Sequence, residues 1–326
     1  MKMIKKIISF VAFAGLITGF VILVQPYILM WQRSVSNKES IISFESAVEC
    51  AKAEQKVTTA QAEEKITDAA KDRTEQIIFP ELYEEMKMYN ERIFEENQTD
   101  LRDAFSYTTG KFHFEHYGLT NDMTGYLTIE KMGIRLALYI GANYENLQKG
   151  AAVMYNTSAP IGGKNTNCVI AAHRSMGYFG EIEELTPGDI VRLTNFWEEL
   201  TYRVEKIIVI DPFETDKIRI IPQKDMLTLL TCHPYWDNSK RYIVYCERVN
   251  HEEQTHSDDQ TDSKTSKTEM TTPRLPDGEQ YTTSAEMIHA EHIVRISGII
   301  LTVIFLILFI IMFVRSIVTH HRNKRV

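Results

Sequence analysis

The chain has 326 residues, 36 basic and 44 acidic, with a net charge of −8 and four cysteines. That length holds one large or two medium domains. The acidic balance excludes a nucleic-acid partner, which needs a basic surface, and four cysteines are too few for a disulfide-stapled scaffold of this size.

Residues 1–6 form a short tail carrying Lys2, Lys5 and Lys6. The uncharged apolar run from Ile7 to Val24 follows, within a predicted span over 7–31. A bilayer core of about 30 Å needs roughly 20 helical residues. A lysine lead-in also fits a signal peptide, but Gln25-Pro26-Tyr27-Ile28 offers no small-x-small cleavage site, so the run reads as an uncleaved anchor. Near the other end, Ile296 to Val314 is a second charge-free apolar run, inside a predicted span over 294–315. Arg315, Arg322, Lys324 and Arg325 follow it, and neither tail, 1–6 or 316–326, contains an acid. The positive-inside rule puts both termini in the cytoplasm and residues between the spans outside. Taking those seven tail cations from the 36 leaves 29 bases against 44 acids, so the external part carries −15.

Between the spans the texture changes three times. Residues 32–105 are rich in Glu, Lys, Ala and Gln and read as helix. The stretch Ala47 to Arg73 is polar nearly all round, as in an exposed stalk. After Pro80, Leu82, Met86, Tyr89 and Ile93 recur at three- and four-residue intervals and predict one packing helix, stopped by Asn97-Gln98-Thr99-Asp100. Residues 106–124 read as a loop that could serve as a lid. From 125 to 250, short β-branched and aromatic runs broken by Gly, Pro and Asn predict an all-β barrel or sandwich. Residues 251–293 are dominated by Ser, Thr, Asp, Gln and Lys and read as a disordered linker. There is no phosphate-cradling glycine loop and no zinc-type Cys/His spacing, so no metal or cofactor is expected.

Three polar residues sit where strand runs end. His173 closes Val169 to Ala172, Cys232 closes Met226 to Thr231, and Arg241 opens Tyr242 to Tyr245. Strand ends on a rigid scaffold hold catalytic groups firmly within reach of solvent. Singly, each has a plain structural reading, as a core histidine, a small buried hydrophobe or a solvated cation.

Taken together in local context they resemble the sortases, cysteine transpeptidases of Gram-positive surfaces. Thr228-Leu229-Leu230-Thr231-Cys232 fits the TLxTC signature, Ala172-His173-Arg174 is similar to the histidine segment, and Arg241 falls where the family's arginine belongs. Thr157-Ser158-Ala159-Pro160-Ile161-Gly162-Gly163 resembles the TSxPxGG segment of pilin-type members. The likeness runs from about Gly125 to Val249. With two spans and a helical extension containing Tyr89-Asn90, it looks most like class C, the pilus-assembling group. The resemblance implies a mainly β fold: a closed sortase-type barrel with short helices, preceded by a helical extension and flanked by two transmembrane helices.

It also implies the roles. Cys232 is the nucleophile, His173 the general acid and base, and Arg241 the stabiliser of the oxyanion. Leu230 and Thr231 contact substrate. The expected partners are pilins or surface proteins bearing an LPxTG-like motif, cut after Thr through a thioester. The amine that resolves the thioester comes from a pilin lysine or, in the wall-anchoring alternative, from a peptidoglycan precursor.

The sequence departs from the family pattern in three places. His233 follows the nucleophile where threonine is common. Cys246 lies five residues after Arg241 and so faces the opposite side of a regular strand, reading as a buried hydrophobe rather than a disulfide partner. Class C enzymes plug the site with an Asp-Pro-aromatic lid; here Asp103-Ala104-Phe105 occupies the expected place without the proline. Either a looser lid or an ordinary loop fits these residues.

Other readings fit less well. Papain-like enzymes place Cys before His, and caspases need a Gln-Ala-Cys motif that is absent. A wall-anchored surface protein would end in LPxTG beside its span; here Leu275-Pro276-Asp277-Gly278-Glu279 lies well upstream.

Overall fold

The computed structural model describes residues 2–63, 77–107, 112, 114–119, 121–174, 178–234, 237–249, 274–277, 279–280 and 285–323. The chain divides into two compact units, one of residues 1–34 and 283–326 and one of residues 35–282. Helix α1 (Lys2–Glu63) supplies residues to both.

In the smaller unit, the apolar run Ile7 to Val24 is helical within α1. Phe20 of that run stacks on Phe309, with centroids 6.3 Å apart. Among the described residues one segment, Ile296–Arg315, is long and apolar enough to cross a membrane.

The larger unit is a mainly β barrel. After α2 (Pro80–Glu95) come β1 (Met123–Ile129), β2 (Ile134–Ile140), α3 (Tyr144–Lys149), β3 (Ala151–Val153), β4 (Thr166–Ala171), β5 (Ile190–Asn195), β6 (Glu199–Ile210), β7 (Asp225–His233) and β8 (Lys240–Arg248). These strands follow the order β5-β1-β2-β3-β4-β7-β8-β6, and β5 pairs with β6 to close the ring. The pairs β2/β3 and β4/β7 are parallel, and the others in the ring antiparallel. Pairing of β5 with β6 covers the edges of both strands over Ile190–Thr194 and Glu199–Arg203. The ring needs close strand approach at Gly125, where a Cβ would meet the Thr194 carbonyl oxygen at 2.0 Å.

Side-chain alternation along each strand sorts the core into two clusters. The inner one fills the barrel and contains Leu127, Leu138, Ile170, Leu229, Tyr242 and Val244. The outer one lies against the faces of β4, β7 and β8 and contains Ala171, Leu230, Ile243 and Tyr245.

Helix α2 begins with Pro80, whose fixed φ suits a first helical position. It buries Leu82, Met86 and Ile93 as the pattern predicts, but the remaining stripe position is Asn90 rather than Tyr89. The Asn90 side chain is 6% exposed and accepts the Ala159 N–H at 2.7 Å, which ties the helix to the loop of Thr157 to Gly163. Tyr89 packs at the margin. The helix ends as expected, with Asn97, Gln98 and Asp100 all at positive φ.

The second half of α1 is not wholly exposed. Ile41 and Phe44 are buried, and Asn37 bonds β2 through Ala137 N–H (2.8 Å) and Arg135 O (2.7 Å). The expected stalk beyond Glu63 lies outside the described residues up to 76. In the predicted 106–124 loop, a 3₁₀ turn at Phe114–Tyr117 buries Phe114; residues 108–111, 113 and 120 are outside the described set.

The linker expectation over 251–293 needs correction at its far end. Strand β9 (Glu279–Gln280) pairs with Ile208 and Val209 of β6. Leu275 packs on the outer cluster, and Lys206 Nζ donates to the Pro276 carbonyl at 2.8 Å. The upper half of β6 extends past its β5 partner, and unpaired backbone there accepts a polar strand that has no core of its own. Helix α4 (Ala285–Asn323) starts well before the apolar run. Residues 250–273 lie outside the described set.

Candidate active site

Strand register brings the three predicted residues to one end of the barrel. Cys232 on β7 is directly opposite Arg241 on β8. On the other side of β7, Ala171 of β4 pairs with Leu230 in parallel register, so His173 lies level with Cys232 two residues further on. Period-two alternation then sets their direction. Leu230, Ala171 and Ile243 belong to the outer cluster, and Cys232, His173 and Arg241 share that face.

The Asp103-Ala104-Phe105 segment lies over this row. Asp103 caps the 3₁₀ turn Ala104–Ser106, its Oδ2 accepting the Phe105 N–H at 3.2 Å. Its carboxylate also takes two hydrogen bonds from Arg241, Nε to Oδ1 at 2.7 Å and Nη2 to Oδ2 at 2.8 Å. This fork-to-fork pair is the strongest common form of charged hydrogen bond. The Arg241 Nη1 donates to the carbonyls of Asn238 and Lys240, both at 2.9 Å. Phe105 lies 5.4 Å from the His173 ring, and the Arg241 guanidinium is 5.2 Å from the Phe105 centroid. Ala104, in the proline's place, is buried in the outer cluster.

This cover sets the electrostatics. Burial pushes the Cys232 thiol above its ordinary value, and the Asp103 charge adds to that, against the opposing pull of Arg241 and Arg174. With the cover in place, the cysteine is held toward the thiol. Burial pulls the Arg241 guanidinium down, but its bonds and charge contact with Asp103 outweigh burial and hold it protonated.

Leu230 and Thr231, expected to touch substrate, are 2% and 0% exposed. The Thr231 hydroxyl donates to the Ala172 carbonyl at 2.7 Å. It therefore braces the cysteine strand against the histidine segment. Leu230 belongs to the outer cluster.

The second imidazole, on His233, does not face the row. It turns inward, 5.7 Å from the Tyr242 ring. Its Nδ1 is 3.1 Å from Arg174 Nη1 and 3.2 Å from Glu183 Oε1, and Arg174 Nη2 is 2.7 Å from the same Glu183 oxygen. Burial raises the Glu183 carboxyl, yet the His233 bond and the Arg174 charge together bring it below its ordinary value. Sequence reasoning missed Glu183. Glu181, Glu183 and Glu184 share one short turn, and only burial separates them.

Cys168 and Cys246 are buried in the inner cluster. Burial pushes both thiols far up, which disfavours the reactive thiolate. Both pair with Leu227 from opposite sides and so lie two strands apart, roughly 9–10 Å, beyond disulfide reach. Among the described residues, no group of three or more His, Cys, Asp or Glu side chains could hold a metal.

The sequence profile described as "Sortase domain" matches residues 127–249. Sortase D of Bacillus subtilis is 33% identical over 133 residues, covering 40% of this chain and 66% of that protein, a little under two thirds. Among solved structures, sortase C from Clostridium perfringens SM101 is 31% identical, covers 60% of this chain and 99% of its own, and gives a TM-score of 0.44. The Streptococcus pneumoniae sortase C is 25% identical, with coverages of 65% and 97% and a TM-score of 0.49. Residues 127–249 thus match the sortase domain, and Cys232 and Arg241 are paired within that matched region.

Proposed function

We propose that this chain is a membrane-held class C sortase that joins pilin subunits outside a Gram-positive cell. The observation that carries the reading is the paired row of Cys232 and Arg241, with His173 level beside it, covered by Asp103 and Phe105. The class assignment is supported by that cover, by the Thr157 to Gly163 loop, and by the helical extension that docks on the loop through Asn90.

The reaction begins when Asp103 leaves Arg241. That removes one negative charge from beside the Cys232 sulfur and admits solvent, and both changes favour the thiolate. The thiolate attacks the carbonyl carbon of the Thr–Gly bond in an LPxTG-like motif. The oxyanion that forms takes hydrogen bonds from the freed Arg241 guanidinium. His173 gives its proton to the departing glycine amine, the C–N bond breaks, and a thioester to Cys232 remains. A lysine amine of the next pilin then attacks the thioester. It loses a proton to His173, forms an isopeptide bond and returns the sulfur as thiolate.

The test uses the full chain in detergent with a sorting-motif peptide and a second peptide bearing a lysine. The expected product is the first peptide, shortened after Thr, amide-linked to that lysine. Recovery of both peptides unchanged across a panel of motifs would contradict the reading.

A further inference from the structure

Behind the catalytic row, Arg174, Glu183 and His233 meet with side chains 4%, 7% and 12% exposed. They come from three elements: the loop after β4, the 3₁₀ turn Ile182–Glu184 and the last residue of β7. Arg174 is the residue after His173, and His233 is the residue after Cys232. The two segments that carry the acid/base and the nucleophile are therefore joined through one carboxylate, on the side of the sheet away from substrate.

Stability alone does not account for such a cluster. A buried ion pair returns little beyond its own desolvation, and apolar side chains of the same volume do as well or better. What the cluster adds is a fixed distance. Glu183 Oε1 reaches both Arg174 and His233, and each anchors a backbone one residue from a reacting atom. A displacement near 1 Å at such a place costs on the order of 10²-fold in rate.

We propose that Glu183 is a positioning residue that sets the separation of His173 from Cys232 by clamping Arg174 against His233. The proposal rests on the reading of Cys232 as nucleophile and His173 as acid/base. It also carries an electrostatic signature at the sulfur. The charged and titratable groups around the Cys232 thiol are Arg241 from β8, Asp103 from the cover, Arg174 and His173 from the loop after β4, and His233 on β7. Glu183 stands behind them. Arg174 pulls the thiol down, and Glu183 neutralises part of that pull.

Glu183→Gln in the full chain tests the clamp by two readouts. Thioester formation on Cys232 should lose at least about tenfold in kcat with KM nearly unchanged, because only the reacting groups are misplaced. The pH midpoint for alkylation of Cys232 by iodoacetamide should fall by on the order of half a unit, because the carboxylate charge that offsets Arg174 is gone. Both changes are required, and a folded variant lacking either one overturns the proposal. If Glu183→Gln does not fold, the double substitution Arg174→Met with Glu183→Met removes both charges at similar volume. In that protein the midpoint should rise, since the nearby cation is gone; a wild-type midpoint overturns the clamp. If the wild-type chain forms no thioester with any motif, the sortase reading fails and the clamp with it; full wild-type activity retained in Glu183→Gln overturns the clamp alone.

Discussion

Asp103 and Arg241 are 138 residues apart in sequence and meet through two hydrogen bonds of 2.7 and 2.8 Å, beside a cysteine that faces the same arginine across a strand pair. The group assigned to the oxyanion is thus occupied by an internal carboxylate. In this state the protein holds Cys232 as a buried thiol and Arg241 in an ion pair.

The pair has side chains 9% and 16% exposed, and one aromatic ring lies over the histidine. Such a cover contributes about 1–3 kcal/mol, enough to keep most molecules closed and little enough to open thermally. Replacing Asp103 and Phe105 together by alanine should raise the labelling rate of Cys232 by a small thiol reagent several-fold. The melting temperature should change little. An unaltered labelling rate would show that the segment does not limit access.

The Asp103 charge has its own pH consequence. It adds to burial in pushing the Cys232 thiol up, so removing it favours the thiolate at any given pH. In Asp103→Asn the alkylation midpoint should move to lower pH, and labelling near neutrality should rise. A midpoint that moves upward, or stays in place, contradicts the assigned electrostatics.

Arg241 makes bidentate contact with Asp103 and two further bonds to the carbonyls of Asn238 and Lys240. Lysine keeps the charge but not the planar fork. Arg241→Lys should lower thioester formation by roughly 10²- to 10³-fold, while alkylation of Cys232 by a small reagent persists. Near-normal turnover would make the arginine structural.

Thr231 predicts a coupled effect. Its hydroxyl, fully buried, bridges the cysteine strand to Ala172. Thr231→Val keeps the shape and removes the donor, leaving a carbonyl short of a bond at a cost of about 1–2 kcal/mol. Denaturant unfolding should register that loss, and thioester formation should slow. Thr231→Ser should restore both.

Much of this was legible because barrel strands place polar residues at their ends. Cys232, His173 and Arg241 were marked by apolar runs that stop at them, and register made them neighbours. Asp103 and Phe105 were visible as types at the right place, but only the fold brings them to Arg241. What stayed hidden is polar and buried. Asn90 occupies an apolar stripe position because it bonds a loop rather than because of its hydropathy. Glu183 differs from Glu181 and Glu184 in nothing that composition reports. Strand β9 forms from a polar stretch because β6 offers unpaired backbone, a property of the partner strand and not of Glu279 or Gln280.

On this reading Cys232 alone carries the acyl group. The direct measurement is the intact mass of the full chain after incubation with a sorting-motif peptide, for wild type, Cys232→Ala and Cys246→Ala. Wild type and Cys246→Ala should show a hydroxylamine-sensitive adduct, and Cys232→Ala none. An adduct that survives Cys232→Ala, or one lost in a folded Cys246→Ala, would contradict it.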